Sequence, residues 1–380
     1  MKLHLIIGAG PVGSATALRL AADGQRVRIA TRSGTGPDAD GIEKVAADAA
    51  DPDRLSRLAA GAAVVYNCAG PPYHRWPQEW PPLAASVLAA AERAGAVLVI
   101  MSNLYGYGPV AHAITEQDPL AATGPKGRVR AAMWAQALAA HQAGRVRVTE
   151  ARAADFFGPG VRGQSPIGER SIPRLLAGRP IAVLGDPGAP HSWTYVPDVA
   201  ATLVTLGANE RAWGRAWHVP TSAPMSQREI YTALARLAGA PDPTLRPVPR
   251  WLIGTGGLVN PYLREFREVA YQFNVQFVVD SSAFTSTFGT RPTPAEEALA
   301  ATLAWWERQV RVPARKELSQ CTPAPNPHPR PAPPGPAPPP GTRGGAASPE
   351  SARTSSSRSP SCGSSGARWP PAGPAACPWP

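Results

Sequence analysis

Through the first half of the chain, short apolar runs alternate with longer Ala- and Leu-rich stretches. The runs are apolar throughout rather than at every second position, which suits strands buried on both faces of a parallel sheet. The pattern predicts strands over 3–7, 27–30, 43–47, 63–66, 97–101 and 146–151, and helices over 13–23, 55–60, 83–94 and 127–143. Residues 71–82, with Pro71, Pro72, Pro77, Pro81 and Pro82, read as a loop. Strands alternating with crossover helices make an α/β doubly wound parallel sheet.

Beyond Gly158 the alternation loosens into Gly- and Pro-punctuated segments, with helices predicted over 171–177, 196–206, 226–238 and 294–309. This predicts one domain over 1–310, with 1–157 mainly dinucleotide-binding and 158–310 mainly a smaller, partly interleaved substrate lobe. From 311 to 380 the composition turns to Pro, Ala, Ser, Gly and Arg, which buries too little apolar surface to offset chain entropy. A disordered tail is expected there.

The formal net charge of +11 would suggest a polyanionic partner, but its placement weakens that reading. From Arg311 onward, seven Arg and one Lys face only Glu317 and Glu350, so more than half of the excess lies in the tail. The rest of the chain has no Lys/Arg block interleaved with aromatics, and neither nucleic acid nor membrane is expected as a partner. Cys68 is the only cysteine before the tail, and Cys321, Cys362 and Cys377 lack metal-ligand spacing, so neither disulfides nor a metal is expected. The apolar opening is broken by Gly8, Gly10, Pro11 and Gly13, which favours a first strand over a leader and a cytoplasmic location.

Gly8-Ala9-Gly10-Pro11-Val12-Gly13 is a G-x-G-x-x-G run set between an apolar strand and an Ala-rich helix, the context in which it marks a dinucleotide site of Rossmann type. Gly8 permits the tight turn, Gly10 admits a pyrophosphate against the backbone, and Gly13 lets the helix approach the strand. The second strand ends Ala30-Thr31-Arg32-Ser33. An NAD site would place a carboxylate there for the ribose 2′-hydroxyl; Arg32, Ser33 and Thr31 instead suit a 2′-phosphate, so NADP(H) is favoured over NAD(H). Asp48, near the end of the third strand, is placed to meet the adenine edge or to cap a helix.

Several further segments, read in order, resemble the extended short-chain dehydrogenase/reductase family, the NAD-dependent epimerases and dehydratases. Asn67-Cys68-Ala69-Gly70 resembles its small-residue turn over the dinucleotide, which adds Ala69 and Gly70 to the cofactor site. Ser102-Asn103-Leu104-Tyr105-Gly106 resembles its fifth-strand end, and Arg152 to Gly160 its RPxNxYGPG segment. Leu184-Gly185-Asp186 and Tyr195 to Ala200 resemble its late GDG…VxDVA block. The family's Tyr-x-x-x-Lys pair, whose tyrosine exchanges the substrate's hydroxyl proton, falls here on Lys126 and Arg130. Its catalytic Ser or Thr falls on Met101, with Ser102 next to it.

Lys126, Arg130 and Ser102 are therefore the catalytic candidates, with two readings open. Lys126 is an acid beside Arg130, or the two residues grip the cofactor without chemistry. Tyr73, Tyr105 and Tyr107 are spare hydroxyls near the nicotinamide end. His74, Trp76, Trp80, Trp193 and Tyr195 offer aromatic surface for a sugar or an aromatic metabolite. The resemblance implies an NAD(P)-dependent oxidoreductase or epimerase-like enzyme acting on a hydroxyl or carbonyl of a small metabolite. The altered pair keeps a non-catalytic cofactor sensor open beside it, and leaves a homodimer open as well.

Overall fold

A computed structural model describes residues 1–163, 165–249 and 267–311, so the expected tail from residue 312 lies outside the described residues. The first part of the chain folds as β1 (Leu3–Ile7), α1 (Pro11–Ala22), β2 (Arg26–Thr31), β3 (Ile42–Ala46), α2 (Pro52–Ala59), β4 (Ala62–Asn67), α3 (Trp76–Ala94), β5 (Val97–Asn103), α4 (Pro125–Gln142) and β6 (Arg147–Ala153). There follow β7 (Asp155–Phe157), α5 (Ile172–Leu176), β8 (Ile181–Val183), β9 (Trp193–Tyr195), α6 (Val196–Ala208), β10 (Ala216–His218), α7 (Gln227–Ala238), β11 (Leu245–Pro247), α8 (Ser282–Phe288) and α9 (Ala295–Arg311).

Seven parallel strands form the main sheet in the order β3-β2-β1-β4-β5-β6-β10. Chain direction across the sheet reverses between β1 and β4, which opens a crevice at the carboxyl ends of those strands. Alternate residues of each strand feed two separate cores. Ile6, Ile29, Val64 and Val99 meet α1 and α6 on one face through Ala17, Leu20, Val199, Leu203 and Leu206. Leu5, Ile7, Val65, Leu98 and Ile100 meet α2, α3 and α4 on the other through Leu55, Leu58, Val87, Ala90 and Ala137. Both faces being covered is the physical reason the runs are apolar at every position.

Two expectations need correction. The sequence reading has six strands, whereas β10 adds a seventh at the sheet edge, pairing Ala216, Trp217 and His218 with Glu150, Ala151 and Arg152. At three residues it is too short for periodicity to register. The expected loop over 71–82 is helical from Trp76 onward, after a 3₁₀ turn at Tyr73–Arg75. Pro77 occupies the first turn, where no backbone bond is lost, and the helical φ of proline suits Pro81 and Pro82. Trp76 and Trp80, one turn apart, bury against Met133 and hold the segment helical.

A third core joins the later elements, with Ile172, Leu175, Ile230, Leu234, Leu299, Leu303 and Trp306 brought together by α5, α7 and α9. Beside it, β7 pairs with β9 and β8 with β11, both in parallel. Among the described residues no helix is long and apolar enough to cross a membrane, and no group of His, Cys, Asp or Glu is clustered to hold a metal ion.

Candidate functional site

A cleft of about 1120 Å³ runs along the carboxyl ends of the sheet strands, from the glycine loop past β5 and β6 to β7, β8 and residues 269–277. At its first end, Gly8 adopts φ +97 and its N–H bonds Ala30 O at 2.9 Å. A side chain on Gly13 would lie 2.0 Å from Gly8 O, so only glycine lets α1 come this close. A Cβ on Gly10 would meet nothing within 4 Å; that space belongs to the cleft. Gly10 caps α1 without a side-chain hydrogen bond, so the helix start keeps its N–H groups for an anion. An uncapped helix start, an open Gly10 face and small residues at Ala69 and Gly70 fit a dinucleotide pyrophosphate.

Further along, Arg32, Ser33 and Asp48 line the cleft where the adenosine ribose of such a ligand would lie. The Arg32 side chain is exposed and has no hydrogen-bond or ion-pair partner among the described residues. Thr31 Oγ1 donates to Thr35 O at 3.0 Å, and Ser33 Oγ lies 2.8 Å from Thr35 Oγ1, which fixes the turn that carries Arg32. Asp48 Oδ1 accepts from Ala50 N at 3.0 Å, in the loop two residues past β3.

At the opposite end of the sheet crevice, Arg130 lines the cleft, its Cζ 4.7 and 4.2 Å from the ring centres of Trp76 and Trp80, whose planes are nearly perpendicular. Burial pushes its pKa down to about 10, opposed by the Glu150 carboxylate. Ser102 also lines the cleft, and its hydroxyl is among the groups that favour the charged form of the buried Glu150. Lys126 sits in the first turn of α4, as the sequence places it, but is 1% exposed and does not line the cleft. Its Nζ pairs with Glu268 Oε2 at 3.0 Å and lies 4.9 Å above the Tyr73 ring. The other oxygen of Glu268 accepts from Lys126 N at 2.8 Å, so this carboxylate caps α4. Gly124 makes room for it: a Cβ there would lie 2.2 Å from Glu268 Oε1.

Of the sequence-derived candidates, Gly8, Gly10, Pro11, Val12, Arg32, Ser33, Asp48, Ala69, Gly70, Ser102 and Arg130 share this one cleft. Gly13 lies behind the loop and Lys126 beneath the wall. Of the aromatic residues, Tyr73 and Trp76 line the cleft, while Trp80 and Trp193 are core.

Three further features were not read from the sequence. The Tyr73 hydroxyl donates to the Tyr105 hydroxyl at 2.8 Å, and both rings line the cleft. Burial raises the pKa of Tyr105, as does the nearby Asp155. Asp155, at the start of β7, lines the cleft and its Oδ2 lies 2.9 Å from His191 Nε2. Beneath the strand ends, Arg152 bonds Glu150 Oε1 at 2.6 Å and donates to Tyr107 Oη at 2.6 Å. Tyr107 Oη is 2.8 Å from His218 Nε2, whose Nδ1 faces Asp280 O at 2.7 Å. Burial lowers the pKa of His218, so the ring is neutral, donating from Nδ1 and accepting at Nε2. Asp155 carried one legible signal: it stands where the RPxNxYGPG pattern has asparagine.

Sheet order, glycine loop and cleft define a dinucleotide-binding α/β protein of the extended short-chain dehydrogenase/reductase kind. The profile of the NAD dependent epimerase/dehydratase family matches residues 4–219, and the chain belongs to that family. It is 28% identical over 267 residues to a UDP-glucose 4-epimerase of Mycolicibacterium smegmatis, spanning 64% of this chain and 84% of that protein. Among solved structures, the dTDP-glucose 4,6-dehydratase of Bacillus anthracis in complex with NAD aligns with a TM-score of 0.68 at 17% identity, covering 82% of this chain and 98% of that one. The UDP-glucuronic acid 4-epimerase of Bacillus cereus in complex with NAD aligns with a TM-score of 0.67 at 17% identity, covering 81% and 98%. At these identities the structural likeness establishes the fold.

Proposed function

We propose that the chain is an NADP(H)-dependent enzyme acting at a hydroxyl or carbonyl carbon of a nucleotide-linked sugar. The continuity of the cleft carries this reading: one cavity runs from the glycine loop, past the strand ends, to the later elements, with room for a second ligand beside a dinucleotide. In this reading the Gly8–Gly13 loop and the start of α1 hold the pyrophosphate, and Ala69 and Gly70 leave space for the dinucleotide. Arg32 with Ser33 takes the 2′-phosphate, and Asp48 faces the adenine edge. Arg130, packed against two indoles, presents positive charge near the nicotinamide ribose. A bound nicotinamide supplies two-electron exchange with the substrate carbon. The relatives named above are a UDP-glucose epimerase, a dTDP-glucose dehydratase and a UDP-glucuronic acid epimerase, which supports a sugar nucleotide over a free aromatic metabolite.

One observation favours a second reading. Lys126 holds the family's tyrosine position in a buried pair with Glu268, which suits a cofactor-binding sensor without turnover. Titration with NADPH and NADH, followed by incubation with UDP-glucose, dTDP-glucose and UDP-glucuronic acid, separates the two. Nicotinamide absorbance and the sugar products are followed together. The enzyme reading expects tighter NADPH binding and conversion of at least one sugar; binding without conversion selects the sensor.

A further inference from the structure

Resting on the enzyme reading, we propose that Asp155, held by His191, is the group that exchanges the substrate's hydroxyl proton, in place of the tyrosine this chain lacks at position 126. The two histidines buried near the strand ends differ in a decisive way. His218 faces a carbonyl with Nδ1 and a hydroxyl with Nε2, and is satisfied as a neutral ring. His191 faces an acceptor at each nitrogen: Gln272 O lies 3.1 Å from Nδ1, and Asp155 Oδ2 lies 2.9 Å from Nε2. A backbone carbonyl only accepts, so Nδ1 carries hydrogen. With Nδ1 so committed, Nε2 and Oδ2 at 2.9 Å form a hydrogen bond only with a hydrogen between them.

This proton is open to the cleft on one side only. His191 is 2% exposed, stacked on Phe273 with ring centres 4.9 Å apart and flanked by Trp193 and Phe277. Asp155 lines the cavity, and its Oδ1 has no hydrogen-bond partner among the described residues. Among the described residues, Asp155 faces His191 directly and acts electrostatically on Tyr105 and Tyr271; Tyr105 is in turn influenced by Arg130 and bonded by Tyr73. Tyr73 donates to Tyr105, so the Tyr105 hydrogen remains available to Asp155 or to a ligand hydroxyl.

The chemistry balances with this pair. With the shared hydrogen on His191 Nε2, Asp155 Oδ1 would accept the hydroxyl proton of a substrate alcohol as its C–O bond becomes a carbonyl, and a nicotinamide held by the glycine loop would supply the acceptor for the carbon's hydrogen and its two electrons. Reduction reverses each transfer. His191 shares the proton and keeps Asp155 oriented; it is a positioning residue.

The test compares wild type, Asp155→Asn and Lys126→Met. NADPH affinity is measured by fluorescence, kcat and KM are taken on the converted sugar nucleotide across pH, and the histidine rings are read by ¹⁵N NMR. Asp155→Asn is expected to lower kcat at least a hundredfold while NADPH affinity stays within threefold, and to flatten the acidic limb of the pH profile. Lys126→Met is expected to keep that limb. Retention of kcat within threefold in Asp155→Asn, or loss of the limb only in Lys126→Met, overturns the proposal. If the wild type binds NADPH but converts no sugar, the enzyme reading fails and the NMR decides the proton pair alone. A His191 signal unchanged by Asp155→Asn then refutes the pair, and a change in its Nε2 resonance supports it.

Discussion

An arginine with no carboxylate partner among the described residues, carried on a turn whose hydroxyls bond one another, leaves its guanidinium open to a ligand. Arg32 is in that position, and Arg32→Ala should weaken NADPH binding at least about tenfold, since a guanidinium–phosphate pair contributes roughly 1.5–3 kcal/mol. NADH affinity should stay the same, and parallel titrations check both. Arg32 was legible because the strand before it is strongly patterned and the geometry of a bound dinucleotide assigns a role to the residue at that strand's end. Lys126 was legible by position but not by environment. Its counter-charge, Glu268, comes from 142 residues away, and no local signal ties the two. His191 was equally hidden: its partner Asp155 stands out only as a carboxylate where the family pattern has an amide.

Strands buried on both faces leave the plainest signature in a sequence, and β1 to β6 are found within a few residues of where the apolar runs place them. The expected helices in the later half are likewise found: α5, α7 and α9 bury their apolar faces in the third core, and α6 buries its own against the main sheet. Failures occur where tertiary contact overrides local chemistry, as in the proline-bearing start of α3, or where an element is too short to carry a period, as in β10. One helix start illustrates what the local code does specify. Ser226 caps α7 in a reciprocal box: its Oγ accepts from Glu229 N at 3.2 Å, and Glu229 Oε2 accepts from Ser226 N at 2.7 Å. The bond from Ser226 N, then the one from its hydroxyl, lowers the pKa of Glu229. That contribution is complete above the ordinary carboxylate range and is lost as pH falls through the lowered pKa. Ser226→Ala should therefore cost about 1 kcal/mol near neutral pH. The gap between variant and wild type should narrow on acidification, as read from urea midpoints at several pH values.

Taken together, the described residues form a sheet whose crevice is walled on one side by strand ends and on the other by elements from the later half. The last of these elements matters to the site although it touches none of it. α9 buries Leu299, Leu303 and Trp306 against α5 and α7, which back the part of the cleft lined by Ser171 and Gln227. A chain ending at Arg311 keeps this helix and loses only a segment whose composition offers little to bury. Its melting temperature and NADPH affinity should match those of the full chain, while a cut before Ala295 should lower both; thermal denaturation and fluorescence titration are the measurements.

The pair formed by Lys126 and Glu268 also couples two distant parts of the chain. Tyrosine at 126 would withdraw the ammonium from a carboxylate that also bonds the amino end of α4, with Gly124 shaped around it. A single Lys126→Tyr change is therefore penalised by a residue far away in the sequence, and position 126 can be exchanged freely only together with 268.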